Sequence, residues 1–121
     1  MKIILYIALG GSLGAILRYL LSNVILTGPL GIFLCNVIGS FFMGYAVGIL
    51  SVKYNISDEI SKFIMVGLLG SFTTFSSYAL NIYEMLEKNM IMFSIVYSTL
   101  TFFLTILALY LGIYISRNLA H

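Results

Sequence analysis

Four apolar stretches, at about 3–26, 30–52, 60–83 and 90–115, take up nearly the whole chain. Each is close to or longer than the roughly 20 residues that a helix needs to cross a bilayer. Lipid offers the backbone no hydrogen-bond partners, so a spanning segment has to satisfy its own amides, as a helix does. Short polar punctuators separate the stretches: TGP at 27–29, KYNISDE at 53–59 and EMLEKN at 84–89. Links this short make successive helices antiparallel. In the middle link Ser57 is placed to cap the third helix, with Asp58 and Glu59 at the positive end of its dipole. The expected fold is therefore all-α: one integral membrane domain over residues 1–121 with four transmembrane helices. The opening MKIILYIALGGSLGA has the outline of a signal peptide. Its apolar run continues past Arg18 to Leu26, however, and three more stretches follow, so it reads as a retained first span.

Charge excludes several classes. Charged residues make up 8% of the chain, against about 25% in soluble domains. A net charge of +2 with no basic cluster gives no footprint for nucleic acid. The one cysteine, Cys35, excludes an internal disulfide and reads as a buried, inert thiol. The lone histidine, His121, reads as a solvated tail. All four carboxylates, Asp58, Glu59, Glu84 and Glu87, fall at helix ends or in links. A proton-coupled cation exporter needs one at membrane depth. No nucleophile–base pair and no metal-ligand cluster stands out, so the chain does not read as an enzyme. Counting alternate sides, Lys2, Lys53, Lys62 and Arg117 oppose Arg18 and Lys88, which favours an N-terminus inside the cell.

Within the third stretch, GLLGSFTTFSSY (67–78) carries two glycines, three serines and two threonines. Phe72, Phe75 and Tyr78 recur every third residue. One reading is a helix bent by hydroxyls that bond carbonyls one turn back. The density of such residues favours the other, a helix broken near the midplane around 70–74. Carbonyls freed there suit a bare monovalent cation. The positive edges of the Phe75 and Tyr78 rings suit an anion.

The other spans add polar groups with two readings each. Gly10 and Gly14 form a G-x-x-x-G pair for close helix approach. Arg18 either snorkels to the headgroups or sets a fixed positive charge at the mouth of an anion path. Ser40, Gly44 and Gly48 form a second small-residue stripe, read as packing. Asn36 either bonds between helices or turns its amide toward a hydrated pore. Tyr97, Thr101 and Thr105, at i, i+4 and i+8, make a hydroxyl rail that either bonds carbonyls or replaces the water around an ion. The midplane is thus uncharged and rich in hydroxyls, a pattern suited to a small, strongly hydrated anion.

Taken together, GGSLGAILRY, CNVIGSFFMG, GLLGSFTTFSSY and the Tyr/Thr rail, in that order, resemble the CrcB/Fluc fluoride channels over nearly the whole chain. The resemblance implies a dual-topology antiparallel homodimer with two pores that passively export cytoplasmic fluoride across the cell (inner) membrane, confer fluoride resistance and use no organic cofactor. It also implies a central structural sodium ion held by backbone carbonyls at Gly70 and Thr73. The ring pair facing fluoride falls on Phe75 and Tyr78, the pore asparagine on Asn36 and the arginine on Arg18. The hydroxyl track falls on Ser76, Ser77, Tyr97, Thr101 and Thr105. The chain departs from the family pattern at Tyr78, where phenylalanine is usual, and at Asn81, where many members carry a glutamate. Some members work as paired, oppositely oriented subunits, so the partner is a second copy or a homologous chain, in either case within membrane lipid. The alternatives are a small dual-topology cation or multidrug exporter, and an accessory membrane subunit whose small-residue stripes bind a partner.

Overall fold

The computed structural model describes residues 1–52 and 56–119; Lys53 and His121, weighed above, lie outside that range. Among the described residues, four helices are long and apolar enough to cross a membrane: Lys2–Ile25, Pro29–Ser51, Asp58–Glu87 and Ile91–Leu119. α1 is regular over Lys2–Tyr19 and widens into π-type turns over Leu20–Ile25. The Leu26 amide then bonds the Leu21 carbonyl, five residues back, at 2.9 Å. Gly28 turns the chain with φ +85°, a conformation that costs glycine nothing sterically. α2 follows over Pro29–Val52. Proline fits its first position because the amide it lacks would have no helical partner there.

The third span is helical except at two residues. α3 occupies 58–72. As expected, Ser57 caps it, its hydroxyl accepting the Ile60 amide at 3.4 Å. It then passes from Asp58–Lys62 through π-type turns at Phe63–Leu69 to a last helical turn at Gly70–Phe72. Thr73 (φ −81°, ψ 152°) and Thr74 (φ −153°, ψ 122°) are extended. α4 is Phe75–Glu87 and α5 is Ile91–Leu119. Gly70 is itself helical (φ −64°, ψ −31°), so unwinding does not reach back to it. The hydroxyls explain the position: Thr73 still bonds the Leu69 carbonyl with both its amide and its hydroxyl, each at 3.1 Å. Thr74, by contrast, accepts the Ser77 amide on Oγ1 at 3.2 Å and so starts a new helix as its cap.

The glycines decide which helices pair. A methyl group at Gly10 or Gly14 would meet the α3 backbone, at Phe63 and Gly67 in the first case and at Leu68 and Phe72 in the second. Contacts that advance together in this way mean that α1 and α3 run parallel. Gly44 likewise seats on the Leu109 carbonyl, Gly48 on Ser116 and Gly112 on the Phe41 carbonyl, which pairs α2 with α5. Such approach lets van der Waals packing and weak backbone contacts hold helices together where lipid removes any hydrophobic drive. The burial pattern fits a membrane. Asn36, Ser94, Thr101 and Ser116 are buried, whereas Leu17, Phe103, Leu107 and Tyr110 face outward. Cys35 is fully buried, as an inert thiol should be.

Candidate ion pathway

The site is organised by Asn36. Its side chain reaches across from α2 to Thr74, donating from Nδ2 to the Thr74 carbonyl at 3.1 Å. Its Oδ1 accepts the Thr74 amide at 2.8 Å. An asparagine amide presents one donor and one acceptor side by side, as a neighbouring strand would. It therefore satisfies both backbone groups of an extended residue, which buried backbone in lipid requires. The interhelical reading of Asn36 is thus realised, and one Nδ2 proton is left over.

Carbonyls at the end of α3 are freed as a consequence, those of Gly70 and Thr73 among them. In a continuous helix the Gly70 carbonyl would receive the Thr74 amide, and the Thr73 carbonyl the Ser77 amide. Both donors are diverted, one to Asn36 Oδ1 and the other to Thr74 Oγ1. Gly70 is exposed, with no side chain to cover its carbonyl.

Around these residues lies an open groove of about 410 Å³. α2 contributes Asn36 and Ser40, the extended segment Thr73 and Thr74, α4 Phe75 and Tyr78, and α5 Thr101 and Thr105. Ser40, read in the sequence as part of a packing stripe, faces this groove instead. The Phe75 and Tyr78 rings lie 5.4 Å apart between centroids at 48°, and Tyr78 continues the ladder to Tyr97 at 5.6 Å. Phe75 is 79% exposed. The groove is therefore open on the side that this ring borders.

The hydroxyls of the rail differ in what they have left to give. Thr101 donates to the Tyr97 carbonyl at 2.7 Å, the back-bonding reading. Thr105 Oγ1 is buried with no partner. Tyr97 is buried and accepts from Asn81 Nδ2 at 3.0 Å, so its own proton remains free. Tyr78 donates to the Ser98 carbonyl at 3.2 Å, which gives its phenol tip the partner that a polar group in lipid needs.

Not all of the candidates share the groove. Arg18 and Ser77 line a second cavity of about 300 Å³, together with Ser22, Asn23 and Asn81. Ser76 is exposed and pairs with the Thr74 hydroxyl at 3.1 Å. Thr74 itself, which joins Asn36, Ser76 and Ser77, is the central residue that motif reading passed over. Its signal was a threonine immediately before a fresh apolar helical run, an ordinary cap position.

A family model described as CrcB-like protein, Camphor Resistance (CrcB), matches residues 5–113. The chain belongs to the CrcB family. Among curated relatives, the fluoride-specific ion channel FluC of Flavobacterium psychrophilum is 36% identical, covering 98% of this chain and all of its own length. The channel of the same name from Shewanella denitrificans is 40% identical over 90% of this chain and 91% of its own. The fluoride-specific ion channel FluC 1 of Methanosarcina acetivorans is 36% identical over 99% of this chain and 95% of its own. These CrcB relatives carry the name of a channel, not of an enzyme. With four membrane-crossing helices, this CrcB chain is a multi-pass membrane protein.

Proposed function

We propose that the chain is a passive, fluoride-selective channel through which cytoplasmic fluoride leaves the cell. Fluoride enters as the neutral acid and ionises inside. A conductive path then lets the anion leave down its electrochemical gradient. The observation that carries this reading is the chemistry of the groove. It holds no acidic side chain, yet it combines ring edges at Phe75 and Tyr78 with an unpartnered buried hydroxyl at Thr105. A dehydrating anion needs hydrogen-bond donors and positive ring edges, and it is repelled by carboxylates. The spare Asn36 proton is a further donor. Arg18, in the adjoining cavity, supplies attraction at the approach.

In this reading two copies in opposite orientation close each other's grooves and form two pores. The exposed Phe75 and Gly70 support it, since both lie on the open side. The carbonyls of Gly70 and Thr73, relieved of their helical donors, fit a sodium ion, whose preferred ligands are uncharged oxygens. Such an ion would hold the two copies in register and add positive charge near the paths. The chain's own part is to keep those carbonyls free, by engaging the competing amides at Asn36 and Thr74.

Liposomes containing the purified chain are expected to release fluoride rapidly and chloride barely, with no dependence on a proton gradient. Strict coupling to protons would replace the channel by a transporter. Absence of flux together with co-purification of another membrane protein would favour an accessory subunit.

A further inference from the structure

Beside the proposed ion path, and sharing Asn81 and Tyr97 with it, lies a larger and mostly apolar cavity of about 640 Å³. That is within the range of about 300–1,000 Å³ typical of small-molecule sites. It opens between the 27–30 turn, the C-terminal part of α4 and the start of α5. The two links at its rim are separated by two membrane crossings, so they emerge at the same membrane face. Phe33, Met85, Phe93, Val96 and Leu100 form its apolar wall, and Glu84 and Lys88 its charged rim. Leu100 lies nine residues into α5 from Ile91, about 14 Å along the axis. The cavity thus runs from headgroup level to near the middle of a hydrocarbon core about 30 Å thick.

We propose that this cavity holds one acyl chain of a phospholipid bearing a primary amine, with Lys88 on its phosphate and Glu84 on its ammonium. Charge complementarity selects the occupant. Glu84 and Lys88 are one turn apart on the same helix face, one of each sign, as are the phosphate and ammonium of an ethanolamine headgroup. A choline headgroup has no N–H to donate to Glu84. A glycerol headgroup offers no cation, and its net negative charge meets the carboxylate. An apolar side chain from a second copy would fill the wall without using the two rim charges.

Native mass spectrometry on the full chain, delipidated and then offered equal amounts of phosphatidylethanolamine, phosphatidylcholine and phosphatidylglycerol, tests this. Phosphatidylethanolamine should be retained about tenfold over the other two, as one charge-assisted hydrogen bond allows. Lys88→Gln should lower retention of all three. Glu84→Gln should erase the preference for phosphatidylethanolamine over phosphatidylglycerol. Leu100→Trp should expel the lipid by filling the wall, and unchanged elution on size exclusion shows that the variants remain folded. Equal retention of the three lipids, or retention indifferent to Lys88→Gln, overturns the proposal. So does disulfide trapping of Phe93→Cys to a second copy, which would show the cavity occupied by protein. Fluoride flux is not the readout, so failure here leaves the channel reading intact, and loss of flux does not touch the lipid site.

Discussion

The side chain of Asn36 bonds both backbone groups of Thr74, at 2.8 and 3.1 Å, across 38 residues of sequence. One amide thereby fixes the extended residue whose hydroxyl caps α4, and it releases the Gly70 carbonyl. Asn36→Ala would leave two buried backbone groups unpaired, each costing about 1–3 kcal/mol. A lower melting temperature in detergent and loss of fluoride efflux from liposomes are both expected. Asn36→Asp accepts the Thr74 amide but cannot donate to its carbonyl, and it adds a negative charge to the groove, so flux should fall further than stability.

Thr105 and Thr101 separate a pore role from a structural one. Replacing the unpartnered Thr105 hydroxyl by a methyl, in Thr105→Val, should leave stability unchanged or raise it, because an unsatisfied buried hydroxyl is lost. Flux should still drop about tenfold or more, since a hydrogen bond to a charged group contributes about 1.5–3 kcal/mol. Thr101→Val should affect flux less, its hydroxyl being already bonded to the Tyr97 carbonyl. If Thr105→Val conducts normally, the hydroxyl does not meet the ion.

Phe75→Ile keeps an apolar side chain but removes the ring edge. Efflux is expected to fall by about tenfold or more, equivalent to about 1.4 kcal/mol, while the proposed dimer still cross-links as in the wild type. Unchanged flux would remove the aromatic-edge account.

Tyr78→Phe tests the phenol in the ring ladder. The ring stays, and only the bond to the Ser98 carbonyl goes. Polar contacts between membrane helices average about 0.6 kcal/mol and reach about 1.7. A small fall in thermal stability with flux kept within a few-fold is the expected outcome. A large loss of flux would assign the phenol to the ion path.

Gly44→Leu drives a side chain into the Leu109 carbonyl. The α2–α5 pair should then fail to form, read as aggregation on size exclusion. Gly11→Ala, which would meet only the Ser71 hydroxyl at 3.4 Å, should behave like wild type.

The four spans and the Ser57 cap were legible because hydropathy and capping depend on neighbours in sequence. Which helices pair was not, since Gly14 facing Leu68 and Gly44 facing Leu109 depend on partners that hydropathy does not record. GLLGSFTTFSSY identified the segment with extended residues but placed the unwinding around 70–74. The extended residues are Thr73 and Thr74 alone, where hydroxyl and amide competition between Thr73, Thr74 and Asn36 is decided in three dimensions. The candidate site was legible as a set of residue types. Its division was not: Arg18 and Ser77 lie in a separate cavity from Phe75 and Thr105. Spacing along α1 and α4 gives the face of each helix but not the wall between two hollows.

Thirty residues from Asp58 to Glu87 would measure about 45 Å as one straight helix, well beyond a hydrocarbon core of about 30 Å. Two extended residues add to that length, since each advances about 3.3 Å. The segment's charged ends, Asp58 and Glu59 on one side and Glu84 and Glu87 on the other, therefore reach past the hydrocarbon into the headgroup layers. Thr73 and Thr74 then fall about midway along the crossing, where the Asn36 side chain stands in for the water that lipid cannot supply.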